Sequence, residues 1–248
     1  TRKYPKFDQD FESCWLDLSP LCKNKNIQEK VFRALSSKTT ARSSEPIKFA
    51  GFQRRAFNQI LKNYNKNKSG TVICAGTGSG KTKSFYIPAF LSVIGDLISD
   101  PSPYTKIIAV YPRNVLLADQ LREALSEILK INESIKNENL RSITIGAFLG
   151  DVPNDEKSKS IDKKKQWKQT PEGYVVPFIK SPRDSISSLI WKDEDRENGR
   201  TVLYRENQST PDVPNGIISL TRDQIKKTPP DILFLSAEML NRELGNPE

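Results

Sequence analysis

Histidine is absent from the 248-residue chain, methionine occurs once, at Met239, and cysteine only three times, at positions 14, 22 and 74. Without histidine there is no imidazole acid, base or shuttle, no Ser-His-Asp triad and no Cys2His2 zinc. Three scattered cysteines make neither a disulfide framework nor a metal cluster, and Cys74, inside an apolar run, is expected to be a buried thiol. No stretch approaches eighteen apolar residues and no secretory signal is visible, so a reducing cytoplasm is expected and no membrane partner. What is abundant is positive charge: 39 Lys and Arg face 30 Asp and Glu, a net +9. That excess suits a polyanionic partner, but it is spread along the chain and does not by itself select nucleic acid. A hydrophobic content of 36% supports one large domain, or one domain with an embedded insert.

Residues 1–45 read as an N-terminal extension, with an amphipathic stretch from Phe7 to Leu21 and a Ser/Thr-rich linker around Ser36 to Ser44. The organised core is expected from Pro46. Thr71-Val72-Ile73-Cys74 reads as a short buried strand, Lys83 to Ile98 as a helix kinked or restarted at Pro88, and Lys106 to Tyr111 as a strand stopped by Pro112. Leu116 to Ile131 is the most regular helix, followed by strands at Ser142–Ala147 and Asp231–Leu235. Strands alternating with helices of this length call for an α/β fold, a mostly parallel sheet covered on both faces.

The alternation halts after Asp151 and resumes at Asp231. Residues 154–228 are therefore read as a small beta-containing insert, with pieces at Gly173–Phe178, Thr201–Tyr204 and Ile217–Leu220. Its lysine run, Lys157 to Lys168, is expected to be a flexible surface segment, either a nonspecific grip on nucleic-acid phosphates or a solubilising loop. Asp193-Glu194-Asp195-Arg196 reads as a solvated charged turn.

The sharpest chemical signal is Ala75-Gly76-Thr77-Gly78-Ser79-Gly80-Lys81-Thr82. A loop that wraps phosphates must turn successive N–H groups inward, which needs backbone freedom and space at Gly76, Gly78 and Gly80. Lys81 is placed to reach the β- and γ-phosphates of a nucleoside triphosphate, and the Thr82 hydroxyl to join a magnesium shell. The helix that starts there adds free N–H groups and the positive end of its dipole. Ala75 stands where the general pattern has glycine. A Rossmann loop is disfavoured because Gly-x-Gly-x-x-Gly is absent in this spacing.

Ala75 to Thr82 resembles motif I of the superfamily 2 helicases of the DEAD/DEAH type, in which the loop commonly begins with alanine. Phe52-Gln53 with Ala56 is similar to the stretch that precedes it in that family. The resemblance implies that Gln53, an ordinary surface residue if taken alone, reads the adenine edge. Tyr111-Pro112-Arg113-Asn114-Val115-Leu116-Leu117-Ala118-Asp119-Gln120 resembles motif Ia in the form found in large bacterial helicases of the YprA/Lhr branch. That branch includes helicases of phage-defence systems such as the Dpd and Druantia groups. Gly150-Asp151-Val152-Pro153 looks like the segment near motif Ib. Ser236-Ala237-Glu238-Met239-Leu240-Asn241-Arg242 is similar to the stretch before motif II, with Ser236-Ala237 in place of the usual threonine or asparagine and proline.

By this resemblance the nucleotide site is Gln53, Gly76, Thr77, Gly78, Ser79, Gly80, Lys81 and Thr82, with Lys81 and Thr82 catalytic and Thr82 on magnesium. The nucleic-acid contacts are Pro112, Arg113, Asn114, Gln120, Gly150, Asp151, Ser236 and Glu238. It covers about residues 49–151 and 229–243, and implies a RecA-like core using ATP and Mg²⁺ on DNA, with a second RecA-like core and possible defence-system subunits as partners. Some relatives carry a cysteine-rich module where residues 154–228 lie; none of the three cysteines falls there, so no zinc-bound version is expected.

The chain starts at Thr1 and stops at Glu248, just after the fourth strand. The expectation is a piece of a longer protein, with 229–248 continuing the core and the acidic motif II beyond it. Such a piece would be inactive alone. An ATP-dependent DNA helicase or translocase in antiphage defence leads; a non-unwinding P-loop switch, a repair helicase and an inactive DNA-binding or assembly module are the alternatives.

Overall fold

A computed structural model describes residues 5–39, 44–64, 66, 69–76 and 78–245. The chain divides into two compact units, 1–101 with 130–141, and 102–129 with 142–248.

The first unit is mainly helical. Strand β1 (Phe7–Gln9) leads to α1 (Phe11–Leu18), whose N-cap Asp10 accepts from the Ser13 N–H at 2.8 Å, and then to α2 (Lys25–Leu35), capped by Asn24 on the Ile27 N–H at 3.1 Å. A ribbon of β2 (Ser37–Thr39) and β3 (Ser44–Pro46) follows, then β4 (Phe49–Ala50) paired with β1, α3 (Gly51–Tyr64) and the nineteen-residue α4 (Lys81–Ser99). The core is aromatic: Phe32 stacks on Phe11 at 4.9 Å and on Phe49 at 5.8 Å, and Phe57 meets Phe49 edge-on at 5.2 Å. Phe11 and Phe32, from the stretch read as an extension, thus pack into the same cluster as Phe49 and Phe57. Val31, Phe32 and Leu35 line one face of α2, an element absent from the sequence reading, and bury it. Buried Gln28 ties that helix to α4 by donating to the Leu91 carbonyl at 2.8 Å.

The expected strand at Thr71–Cys74 does not form. Val72 is 88% exposed and Cys74 is an exposed thiol, contrary to the buried reading. Asn63 holds the start of the segment, donating to the Gly70 carbonyl at 3.0 Å and the Thr71 hydroxyl at 2.9 Å, but no strand among the described residues pairs with it. An unpaired run has no ladder to satisfy its backbone, whatever its side chains prefer. Helix α4 runs through Pro88 without restarting; the Ser92 hydroxyl takes up the Pro88 carbonyl at 2.9 Å.

The second unit holds the parallel sheet, in the order β11-β6-β12-β5, with helices on both faces and an added antiparallel sheet: a RecA-like α/β fold. Its elements are β5 (Ile107–Tyr111), α5 (Asn114–Ser134, whose last turn belongs to the first unit), β6 (Ile145–Phe148), β11 (Ile218–Ser219), α8 (Arg222–Lys227), β12 (Ile232–Ser236) and α9 (Ala237–Gly245). Between β6 and β11 come α6 (Ser158–Asp162), β7 (Lys168–Thr170), β8 (Gly173–Lys180), β9 (Ser188–Lys192), α7 (Asp193–Glu197) and β10 (Leu203–Arg205).

Asp231 clamps three strands at one end of the parallel sheet. Its backbone carbonyl accepts from the Lys106 and Ile107 N–H groups, at 2.9 and 3.0 Å. Its carboxylate meets the Lys106 ammonium at 2.9 Å and the Thr144 N–H and hydroxyl at 2.9 and 3.1 Å. Both charged side chains are fully buried, so their pairing offsets a desolvation cost that neither could bear alone.

Three expectations for residues 154–228 change. Ile217–Leu220 supplies β11, which pairs in parallel with β6 and so belongs to the main sheet. The lysine run is no flexible segment: α6 buries Ile161, and Trp167 is buried with its Nε1–H on the Asp151 carbonyl at 2.8 Å. Asp193–Arg196 is no solvated turn either. Arg196 is buried, bound to Asp193 at 2.7 Å and the Glu156 carbonyl at 2.7 Å, while buried Asp195 holds Arg200 at 2.8 Å. Periodicity cannot show such pairing, because the partners lie 40 residues away in the Glu156 case.

Candidate nucleotide and nucleic-acid sites

The glycine loop runs into the N-terminus of α4. Gly78 and Gly80 both take left-handed backbone angles, φ 74° and 77°, which glycine adopts without the Cβ penalty of other residues. A side chain at Gly80 would also collide with Gln53 Nε2, 2.9 Å from the added carbon, whereas Gly76 and Gly78 face open space. Lys81 folds back, its ammonium donating to the Ala75 carbonyl at 2.6 Å and the Gly76 carbonyl at 2.7 Å. Ser79 is buried and its hydroxyl donates to the Gly76 carbonyl at 2.7 Å. Thr82 is half-buried in the first turn of α4. Thr77 lies outside the described residues.

Gln53 is buried and held at both ends of its amide: Oε1 accepts from the Ala50 N–H at 2.7 Å and Nε2 donates to the Gly80 carbonyl at 2.8 Å. It is a strut between β4 and the loop, and reaching a base would require one of these bonds to open.

This donor set fits a polyphosphate. The start of α4 has no side-chain cap, so its first N–H groups remain available to an anion, and the open faces at Gly76 and Gly78 leave room beside Lys81. For magnesium the start of α4 offers the Thr82 hydroxyl, while the Ser79 hydroxyl is engaged on the Gly76 carbonyl, which suits an ion that keeps waters and phosphate oxygens as its other ligands.

The motif Ia residues stand where β5 hands over to α5. Tyr111 stacks on Phe234 of β12 at 5.8 Å, nearly parallel, which fixes the end of β5. Pro112, Arg113 and Asn114 are exposed at the start of α5, while Gln120 is half-buried and donates to Glu123 at 3.2 Å. Gly150 and Asp151 follow the end of β6, their carbonyls taken by Lys164 at 2.7 Å and by Trp167. Ser236 is buried, its hydroxyl capping α9 by accepting from the Met239 N–H at 3.2 Å, and Glu238 is exposed in the first turn of that helix. A groove of about 380 Å³ joins the start of α5, Leu149 and Asp151, and the C-terminal half of β8 in the antiparallel sheet.

Two cations stand on the Leu149 and Gly150 carbonyls next to this groove: Arg222, which the sequence reading did not name, and Lys164, which it placed only within the lysine run. Arg222 follows Thr221, which with Gln224 forms a capping box; Thr-x-x-Gln was a legible helix start. Lys164 was hidden among its neighbours in the lysine run, and only the fold singles it out.

Among known proteins, the chain resembles Druantia protein DruE of Escherichia coli (strain UMEA 4076-1), 33% identical over 110 residues, which is 39% of this chain and 6% of that protein. The chain therefore spans only a small part of this relative's length. The model of the DEAD/DEAH box helicase family matches residues 51–200, from α3 through the glycine loop and α5 into the antiparallel sheet. On that match, longer than half of the sequence, the chain belongs to the DEAD/DEAH box helicase family.

Proposed function

We propose that the chain is the first motor core of an ATP-dependent DNA helicase or translocase of the YprA/Lhr-related branch, acting in bacterial antiphage defence. The observation that carries the nucleotide half is Lys81, at the uncapped start of α4, resting on two loop carbonyls that a phosphate can displace. In this reading, Lys81 leaves Ala75 and Gly76 to meet the β- and γ-phosphates, and the N–H groups of Gly76 to Lys81 wrap them. Gln53 exchanges one backbone bond for the adenine edge, which couples base binding to the conformation at Gly80. Thr82 holds magnesium, which when bound neutralises charge on the phosphoryl group in transfer.

Pro112, Arg113, Asn114, Gln120, Gly150, Asp151, Ser236 and Glu238 form the strand side, with Arg113 and Asn114 meeting backbone phosphates at the start of α5. Residues 46–153 and 229–248 belong to the core, which also takes in β11 and α8; the chain between β6 and β11 is the insert, and a second RecA-like core completes the ATPase. The match to Druantia protein DruE supports the defence branch.

Replacing Lys81 with alanine in the full-length protein is expected to abolish DNA-stimulated ATP turnover while the melting temperature holds. Near-normal turnover overturns the assignment.

A further inference from the structure

We infer that the antiparallel sheet forms one wall of the path of a single nucleic-acid strand, with Lys164 and Lys180 of the insert and Arg222 of the core gripping its backbone phosphates. The inference rests on the proposed function and assigns the insert a direct part in it. The groove of about 380 Å³ has the start of α5, with Asn114 and Ala118, on one side and Gln166, Phe178 and Lys180 of the insert on the other, over a floor of Leu149 and Asp151. Asn114 and Asp151, two of the residues expected to touch a strand, therefore share a single opening with the insert.

The groove's own charged lining is balanced, with Arg122 and Lys180 against Asp119 and Asp151, and the excess positive charge comes from two further cations next to Leu149. Lys164 is tied to the Gly150 carbonyl at 2.7 Å, and Arg222 reaches the preceding carbonyl, Leu149, at 3.4 Å with its guanidinium 4.7 Å over the Phe148 ring. Two cations are thus gathered on consecutive carbonyls at the C-terminal end of β6, the end of a parallel sheet at which ligands are taken. Among the described residues, buried Arg222 Nε has no hydrogen-bond partner, a donor whose desolvation none of them offsets. Burial holds the Lys164 ammonium below its ordinary pKa, with the Arg222 charge adding to the effect, and burial together with the Arg242 charge does the same to Arg222. Asp151 and Glu243 oppose these effects, on Lys164 and Arg222 respectively. Mutually repelling cations are relieved by an incoming phosphate, which also accepts charge-assisted bonds. Lys180 is exposed at the end of β8, where its ammonium donates to the Ser188 hydroxyl at 2.9 Å. Contacts to backbone phosphates carry no sequence information, so a sequence-independent hold is expected.

The test is binding of a fluorescent oligo-dT single strand to the full-length protein across a salt series. Lys164→Ala and Lys180→Ala are each expected to weaken binding roughly tenfold at low salt and to flatten the salt slope by about 0.7 for each phosphate that is no longer neutralised. Lys164→Arg should restore most of the affinity. Because Lys164→Ala could disturb Gly150, a photo-crosslinking residue at exposed Gln166 gives an independent readout, and it should couple to the strand. If the double Arg113→Ala, Asn114→Ala variant loses affinity while both lysine variants bind normally and position 166 does not crosslink, the wall is disproved and the proposed function stands. If none of these variants changes binding, the proposed strand path fails together with the wall.

Discussion

Two short, mostly apolar runs, Thr71–Cys74 and Ile232–Ser236, take opposite structural roles. The second is a strand with a parallel neighbour on each edge, in register with β5 from Ile107 to Tyr111 and with β6 from Ile145 to Phe148. The first has no partner among the described residues and leaves Val72 and Cys74 in solvent. Side-chain preference for extended backbone is present in both. What differs is that Asp231 pins one end of β12 to β5 and β6, while Asn63 tethers only the start of the other run, to a helix. Beta character in a sequence is thus a readiness to pair, and the partner decides the outcome.

That contrast can be broken by mutation. The largest effect is expected at Gly173, the first residue of β8, where an added carbon would lie 2.2 Å from the Trp191 carbonyl at φ 151°. Gly173→Ala should cost more than about 4 kcal/mol, read as early loss of Trp167 and Trp191 fluorescence in urea. Removing the clamp with Asp231→Ala strands the buried Lys106 charge, and should cost about 3–5 kcal/mol by denaturant midpoint. Phe234→Ala, in the middle of β12, should cost a similar 3–5 kcal/mol. Val72→Ser, by contrast, should change stability by no more than about 0.5 kcal/mol. A loss as large as that of Phe234→Ala would mean that Thr71–Cys74 is a packed strand in solution, and the contrast would be lost.

The smallest effect concerns acid. The Arg54 guanidinium, 2.6 Å from Asp17, holds that carboxyl below its ordinary value. A depressed folded pKa contributes stability above the unfolded value, near 3.9, and loses it as pH falls through the folded value. Wild type should therefore exceed Asp17→Asn by about 1 kcal/mol or less at pH 7 and converge with it in strong acid. A constant difference across that range would remove the ion pair as its cause.

The lysine run shows how structure redirects an experiment. Deleting residues 155–168 suits a mobile loop, but here it would remove buried Ile161 and Trp167, so single charge changes are the informative ones. The same run illustrates why the insert was only partly legible. Gly173–Phe178 was visible as a β piece through its apolar run, whereas the roles of Lys164 and Arg196 depend on carbonyls at Gly150 and Glu156. Distant backbone partners leave no local spacing to read.

The sequence by itself determined the α/β class, the glycine loop ending in Lys81 and Thr82, and the turn from β5 into α5, because each is set by neighbours within a few residues: glycine angles, apolar spacing, a proline stop. Only the tertiary structure decided which extended runs became strands, that Ile218–Ser219 joins the parallel sheet, and that Gln53 braces Gly80. It also gathered Lys164 and Arg222 at the end of β6. Those outcomes depend on hydrogen-bond partners and charges brought together from far along the chain, where the identity of a residue says what it can bond but not what it will meet.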